Sequence, residues 1–378
     1  MLAAWLQQLG VKYLVVDKAA RPGDAWRARY DSVKSHTASY GDHFPFLKYP
    51  SNWPNFLDRD PIANWIEHYC GIMGLNILQN AAVTTIDRDD ETGKYSVNVA
   101  VQGSQRIFKA HHVVLATGIT SNTPNLPDIK QQDTFKGLVY HTSKHKSASK
   151  IPDLGNKRVV VIGAASSGHD VAQDFVNHGA KSVSMIQRSR LAVTSTDSIE
   201  KFQAKPWGIP GVGTDDADLL TASMSGAIAL TLGVGMAQMM SHNDKELLDG
   251  LEEAGMALVR GEDGVGILDF QLLKFGHFYI DQGASPMIVD GRIKVFRCAE
   301  GVKEFYDDGI ILANDTRVEA DVVVFATGFK GIDATLEPLL GKEIATAALS
   351  WTKTNKETEL NGVSNLTCCY GEYDCGTC

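Results

Sequence analysis

The sequence predicts an α/β protein of two dinucleotide-binding (Rossmann-like) units, the second inserted into the first. Three observations carry this. A continuous apolar strand, residues 158–162, runs into a glycine turn at 163–168 and then into a helical pattern at 169–175. Two further apolar strands, 112–118 and 321–328, each end in Ala-Thr-Gly, one on either side of that unit. The N-terminal stretch reads as a helix and a short strand closed by an acid. A repeated strand and turn flanking a complete nucleotide unit implies one domain interrupted by another.

Composition agrees and sets limits. At about 100–200 residues per domain, 378 residues make two domains or three, with a large core. Hydrophobic content of 44% with 21% charged residues excludes disorder, collagen and a coiled coil. A net charge of −9 leaves no basic excess to neutralise a nucleic acid, although a local basic spot for one small anion remains open. Cys70 and Cys298 are isolated, so the body of the chain reads as a reduced, cytoplasmic protein. The N-terminus has no charged n-region or cleavage site and does not read as a signal peptide.

Taken in order, Leu2, Trp5, Leu6 and Leu9 recur at helical spacing, and Gly10 ends the helix. Residues 13–16 form a buried strand closed by Asp17, an acid placed to accept hydrogen bonds from a ribose hydroxyl; the plain alternative is a polar strand end. The strand and glycine turn that should come before this helix are not in the sequence, so the chain is expected to begin inside a βαβ unit.

The mid-chain motif is complete. Gly163, Ala165, Ser166, Ser167 and Gly168 form the turn, with Ala165 where the middle glycine would let the backbone approach a pyrophosphate. The next strand, 182–186, finishes with Gln187, Arg188, Ser189 and Arg190 instead of an acid. Arg188 and Arg190 there favour a 2′-phosphate, hence NADPH over NADH, or else they are solvated loop residues. Ala116, Thr117 and Gly118 close the first Ala-Thr-Gly strand, and Thr327 and Gly328 the second. Open α/β sheets bind ligands at such strand ends.

With these motifs in place the chain resembles the flavin-containing monooxygenases, class B flavoprotein enzymes. Phe135, Gly137 and His141 match their F-x-G-x-x-x-H signature, and Thr142 to Lys146 follow it in the form of the N-hydroxylating and auxin-forming branches. Gly23, Asp24 and Trp26 are similar to the flavin segment, with Tyr30-Asp31-Ser32 after it. The resemblance implies FAD and NADPH as cofactors. It also implies O₂ activated as a flavin C4a-hydroperoxide and one oxygen atom transferred to a small organic substrate. His141 reads either as a catalytic group or as a loop histidine bonded to backbone. His36, Asp42 and His43 read as structural or flavin-side groups. No metal site and no redox dithiol occur within the nucleotide units, which argues against a disulfide reductase.

The implied domains are an FAD-binding part at 1–150, an NADPH-binding part with a helical insertion at 151–320, and a return to the FAD part at 321–362. A Cys-rich tail follows at 363–378. Residues 219–241 carry no charge and read as a helix covering the substrate channel or as a peripheral membrane contact. Cys368, Cys369, Cys375 and Cys378 are cramped for a zinc site, and the tail is expected to be a spliced or frame-shifted end. Two rival functions stay open: a catalytically silent nucleotide-binding remnant, and an NADPH-dependent reductase without oxygen insertion. Neither the substrate nor the oligomeric state is set by the sequence.

Overall fold

The computed structural model describes residues 1–348 apart from 90, 119, 263 and 275, so the Cys-rich tail lies outside the described residues. Helix α1 (Leu2–Gln8) is followed by Gly10 at φ +69 and by β1 (Val15–Val16). The helical spacing holds, but Ala3 and Ala4 are the buried residues, and Leu2, Trp5 and Leu9 are exposed. Trp5 packs edge-on against Phe46, with ring centroids 4.5 Å apart. Helices α2 (Asp24–Arg27) and α3 (Arg59–Ile72) lead to β2 (Ile77–Leu78), which pairs parallel with β1.

An antiparallel meander comes next: β3 (Ala81–Arg88), β4 (Tyr95–Val101) and β5 (Ser104–Ala110). Its second turn is Gln102-Gly103, both at positive φ, the backbone that continues the twist of a tight hairpin. The strand expected at 112–118 does not form. Val113 and Leu115 pack against the meander while Val114 is exposed, so the alternation is there. No strand among the described residues pairs with this segment, and without ladder bonds it is extended chain only.

The middle unit opens with β6 (Leu138–His141) and β7 (Arg158–Ile162), continues into α4 (Ser166–Asn177) and returns through β8 (Ser182–Gln187). An insertion then begins with β9 (Ala192–Ser195) and the short α5 (Thr196–Ser198). It continues with α6 (Thr214–Ala222), α7 (Gly226–Asn243) and α8 (Lys245–Glu253), and ends at β10 (Phe278–Asp281), which pairs parallel with β9. Asp244 pins it: its buried carboxylate accepts hydrogen bonds from the Thr194, Ser195 and Ser198 hydroxyls and the Ser195 amide. Helix α9 (Ala284–Val289) leads to β11 (Ile293–Arg297). A second meander, β12 (Val302–Tyr306), β13 (Gly309–Leu312) and β14 (Arg317–Glu319), precedes β15 (Val322–Phe325).

Five of these strands form one parallel sheet in the order β11-β8-β7-β15-β6. Two expected boundaries therefore move. The strand at 322–325, placed in the returning segment, lies inside the middle sheet, and β6, placed in the first part, forms its edge. The cause is burial. Val322 and Val324 enter one core and Val323 and Phe325 the other, so this strand needs cover on both faces. Val159 and Val161 against Val160 and Ile162 repeat the division on β7. Helices α4 and α9 cover one face, and the second meander covers the other with Phe305, Ile310, Leu312 and Val318. After β15 the chain turns back to the first meander, where α10 (Asp333–Leu340) packs on β3 and is followed by α11 (Lys342–Ala348).

No single helix among the described residues is long and apolar enough to cross a membrane; α6 and α7 qualify only as a pair, bent by 104°. Ala217, Gly233, Ala237 and Met240 form their buried side, while Leu219, Leu220, Ile228, Leu232 and Met239 are exposed.

The glycines after β7 are required by space. A Cβ on Gly168 would stand 2.1 Å from the Gly163 carbonyl oxygen, and one on Gly163, at φ +118, 2.3 Å from that of Ala326. Gly168→Ala is expected to cost about 2–4 kcal/mol by backbone displacement. Urea unfolding checks it: the midpoint should fall at unchanged m-value.

Candidate functional site

Parallel pairing fixes which strand ends lie side by side. His141, Phe325, Ile162 and Ile186 are register partners across β6, β15, β7 and β8. The carboxyl ends of these strands therefore line one edge: His141 itself, then Thr327 and Gly328, the turn from Gly163 to Gly168, and Arg188 with Arg190. The order in which strands are added reverses between β7 and β15. From β7 the path runs outward through β8 to β11, and β15 then adds on the opposite side. That crevice is the switch point where open α/β sheets take their ligands.

At the crevice, Ala165 is the N-cap of α4 in extended conformation, and the amides at the helix start are the orphan donors of any helix beginning. Ser166 Oγ donates to the Phe278 carbonyl at 2.9 Å, tying the turn to the insertion. Gln187 turns inward and exchanges two 2.8 Å hydrogen bonds with the Ala257 backbone. Arg188 is the first exposed side chain after β8; Arg190, also exposed, donates through Nε to the Leu258 carbonyl.

The remaining expected residues lie in the first unit. Asp17 is exposed at the end of β1, with Oδ1 accepting from the Ala19 amide at 2.9 Å. Gly23, at φ +86, caps α2, and a Cβ there would stand 2.2 Å from the Ala63 carbonyl of α3. Asp24 accepts from Arg21 and Arg27, whose guanidinium also reaches Asn64 and Glu67 on α3. Trp26 packs on the core beneath α4. Ala116, Thr117 and Gly118 are exposed. The chain beyond them runs beside the chain beyond Thr327 and Gly328: the Asn125 amide donates to the Gly328 carbonyl, and those of Ser121 and Lys330 to Lys330 and Thr123. The two crossings between units thus travel together.

His141 is buried. The Ser143 amide donates to its Nδ1 at 3.1 Å, which places the ring proton on Nε2. Nε2 is buried near the Gly328 backbone without a hydrogen bond of ordinary geometry, and the ring meets Phe329 edge-on at 5.3 Å. Burial lowers its pKa against the opposing pull of that backbone, which favours a neutral imidazole.

The polar side of α4 carries two buried acids that no sequence motif marks. Asp170 accepts from the Tyr30 hydroxyl at 2.6 Å, and Asp174 from His145 Nε2 at 2.9 Å and the Ala148 amide at 2.6 Å. Tyr140 Oη lies 2.9 Å from His145 Nδ1. Burial pushes Asp174 up, but those hydrogen bonds pull it further down, below the usual carboxylate range. Two acids one turn apart beside Val171 and Phe175 are the signal: a carboxylate on an apolar face needs partners. His169 is wholly buried, stacked on Tyr279 at 4.0 Å with Nδ1 on the Ala165 carbonyl. Among the described residues no cluster of three His, Cys, Asp or Glu is placed to hold a metal ion. A hollow of about 440 Å³ beside α7, lined by Phe202, Gln238, Met239 and His242, includes none of the residues at the sheet edge.

A family model described as pyridine nucleotide-disulphide oxidoreductase matches residues 1–212, more than half of the chain. The chain belongs to that family. Members named for dithiol chemistry need paired cysteines, whereas among the described residues Cys70 and Cys298 are both free. Sequence relatives include a probable indole-3-pyruvate monooxygenase, YUCCA10, of Arabidopsis thaliana, 25% identical over 86% of this chain and 77% of its own length. The indole-3-pyruvate monooxygenase YUCCA1 of Oryza sativa subsp. japonica is 26% identical over 87% of this chain and 73% of its own. A cyclohexanone monooxygenase crystal structure superposes with TM-score 0.64 at 19% identity, over 90% of this chain and 73% of that one. A structure titled OTEMO in complex with FAD and NADP gives 0.57 at 18%, over 89% and 71%. The resemblance to class B flavin monooxygenases, with a YUCCA-like branch, is borne out.

The pKa of His169 is pushed by burial from 6.5 down to about 4, so the folded chain holds this ring neutral where the unfolded chain protonates it. That contribution is complete above the unfolded value and is lost as pH falls through the folded one. It amounts to on the order of 3 kcal/mol. His43, His141 and His277, also lowered by burial, act in the same direction. His169→Phe keeps a ring on Tyr279 and should flatten the decline; urea midpoints at neutral and acid pH for both proteins check this.

Proposed function

We propose that this chain is an FAD- and NADPH-dependent monooxygenase that places one atom of O₂ in a small organic substrate. One observation carries the reading: a single sheet edge gathers the glycine turn, the second Ala-Thr-Gly, His141 and the basic strand end, on a fold shared with monooxygenases. The residues present fit a dinucleotide there. Gly163 and Gly168 let the end of β7, the first turn of α4 and the residue after β15 pack closely at the turn, and α4 would offer its amide-bearing end to a pyrophosphate. Arg188, with Arg190 beside it, would hold a 2′-phosphate. In the first unit, Asp17 would accept from the ribose of FAD, while Gly23, Asp24, Trp26 and residues 116–118 would flank the flavin side.

FAD, when bound, supplies the redox and oxygen chemistry. The chain's own part is to bind, orient and exclude water. His141 would present a neutral Nε2–H at the edge, with its tautomer set by the Ser143 amide. Trp207 of the insertion lies over Gly41, and the Asn55 amide donates to Glu200, which closes residues 38–56 against the insertion. Helices α6 and α7 would cover the substrate channel. A peripheral membrane contact of a cytoplasmic protein is the second reading, favoured by the exposed Leu219, Leu220, Ile228 and Leu232.

Purified chain reconstituted with FAD should oxidise NADPH and form oxygenated product. Peroxide equal to the NADPH consumed would point to a reductase, and nucleotide binding without flavin to a silent remnant. Arg188→Ala should raise the KM for NADPH by about 10–100-fold and leave NADH little changed, as expected for one charge-assisted contact. Co-sedimentation with phosphatidylcholine vesicles separates the two readings of α6 and α7: binding that is lost in Leu219→Ser/Leu232→Ser supports the membrane contact.

A further inference from the structure

The turn that receives one nucleotide and the segment that flanks the flavin belong to different units, and something must fix their separation. Helix α4 begins at the turn. One and two turns along it, Asp170 and Asp174 point into the core, each less than a tenth exposed. Asp170 takes the Tyr30 hydroxyl, four residues beyond Trp26. Asp174 takes His145 and the Ala148 amide, from the segment after β6. Those two segments are also bonded to each other: the Asp31 amide donates to the Lys146 carbonyl at 2.7 Å, and Lys146 Nζ reaches the Ala28 carbonyl. Arg29 lies over the rings of Trp26 and Tyr30, at 5.3 and 5.8 Å. The result is a closed ring of contacts from the flavin segment through 145–148 to α4 and back.

We infer that Asp170 and Asp174 are positioning residues that hold the flavin segment at a fixed distance from the nucleotide turn. The inference rests on the function proposed above. Both carboxylates sit on the helix that presents the turn, so a shift of either anchored segment would change the separation of the flavin segment from the turn, and with it the rate of hydride transfer between bound cofactors, while the turn itself stays in place. Hydrophobic packing could join the units but would not fix register, because apolar contacts are non-directional whereas a buried carboxylate is satisfied in few geometries.

Tyr30→Phe keeps the ring in the core and removes the donor; Tyr30→Phe/Asp170→Asn also removes the charge, which Tyr30→Phe alone leaves beside His36 at 3.8 Å. Three readouts apply: amide exchange at 28–33 without added cofactor, NADP⁺ affinity, and the rate of anaerobic flavin reduction by NADPH. In Tyr30→Phe, exchange should rise about tenfold. NADP⁺ affinity should stay within about twofold, and flavin reduction should slow by about tenfold or more. The double variant should regain thermal stability but remain slow. If it regains both, or if exchange and reduction match the parent, the anchors serve stability alone and the inference fails. If NADPH does not reduce the parent's flavin, the proposed function is overturned, and exchange alone then decides the anchoring.

Discussion

Three backbones meet at the carboxyl edge of the central sheet at distances no side chain tolerates. The end of β7 turns at Gly163 beneath the Ala326 carbonyl, and Gly168 in the first turn of α4 lies against the Gly163 carbonyl. This close approach draws β15 against β7 and aims the start of α4 at the switch point. It also sets the second crossing between units, residues 326–330, directly beside the first. The apolar strands on either side can be buried on both faces only while this edge stays closed. With the strand ends aligned here, residues far apart in sequence come to line one crevice.

Much of this was legible because it is local. Strand, glycine turn and helix lie within about twenty residues in a fixed order, and apolar periodicity places β7, α4 and β8 without further help. Partnership between distant segments was not. The strand at 322–325 looks the same whichever sheet it joins, and its address depends on two cores supplied by α4, α9 and the second meander. The first Ala-Thr-Gly segment shows the opposite failure. Its pattern is that of a strand, yet a strand exists only by pairing, and 112–118 has no pairing partner among the described residues. Trp5 and Leu9 likewise followed helical spacing, but spacing names a face without saying what covers it.

The polar residues missed in the sequence obey one rule. Asp170, Asp174 and Asp244 each sit where separate elements meet: Asp170 accepts from the Tyr30 hydroxyl, and Asp174 and Asp244 each accept from several donors. A buried carboxylate is weak evidence for net stability, since desolvation offsets much of what its partners return. It is strong evidence for specified geometry, because leaving it unpaired is costly. Apolar packing thus joins the segments, and these carboxylates add directional bonds where separate elements meet.

The strand ends carry a corresponding division of charge. In the first unit β1 ends at an exposed acid, Asp17; in the middle unit β8 ends at an exposed base, Arg188. An acid accepts from ribose hydroxyls but repels a phosphate, and an arginine does the reverse. On the function proposed above, an adenosine ribose with a 2′-phosphate and one without it would be told apart by sign at the two strand ends. Gln187 makes this work in the middle unit. Its amide is spent on the Ala257 backbone, so the side chain at the strand end faces inward and the first exposed group is the guanidinium one residue on. A neutral inward residue followed by an outward cation moves the exposed charge from the strand to its loop. That leaves the strand free to be buried on both faces, as the closed edge of the sheet requires.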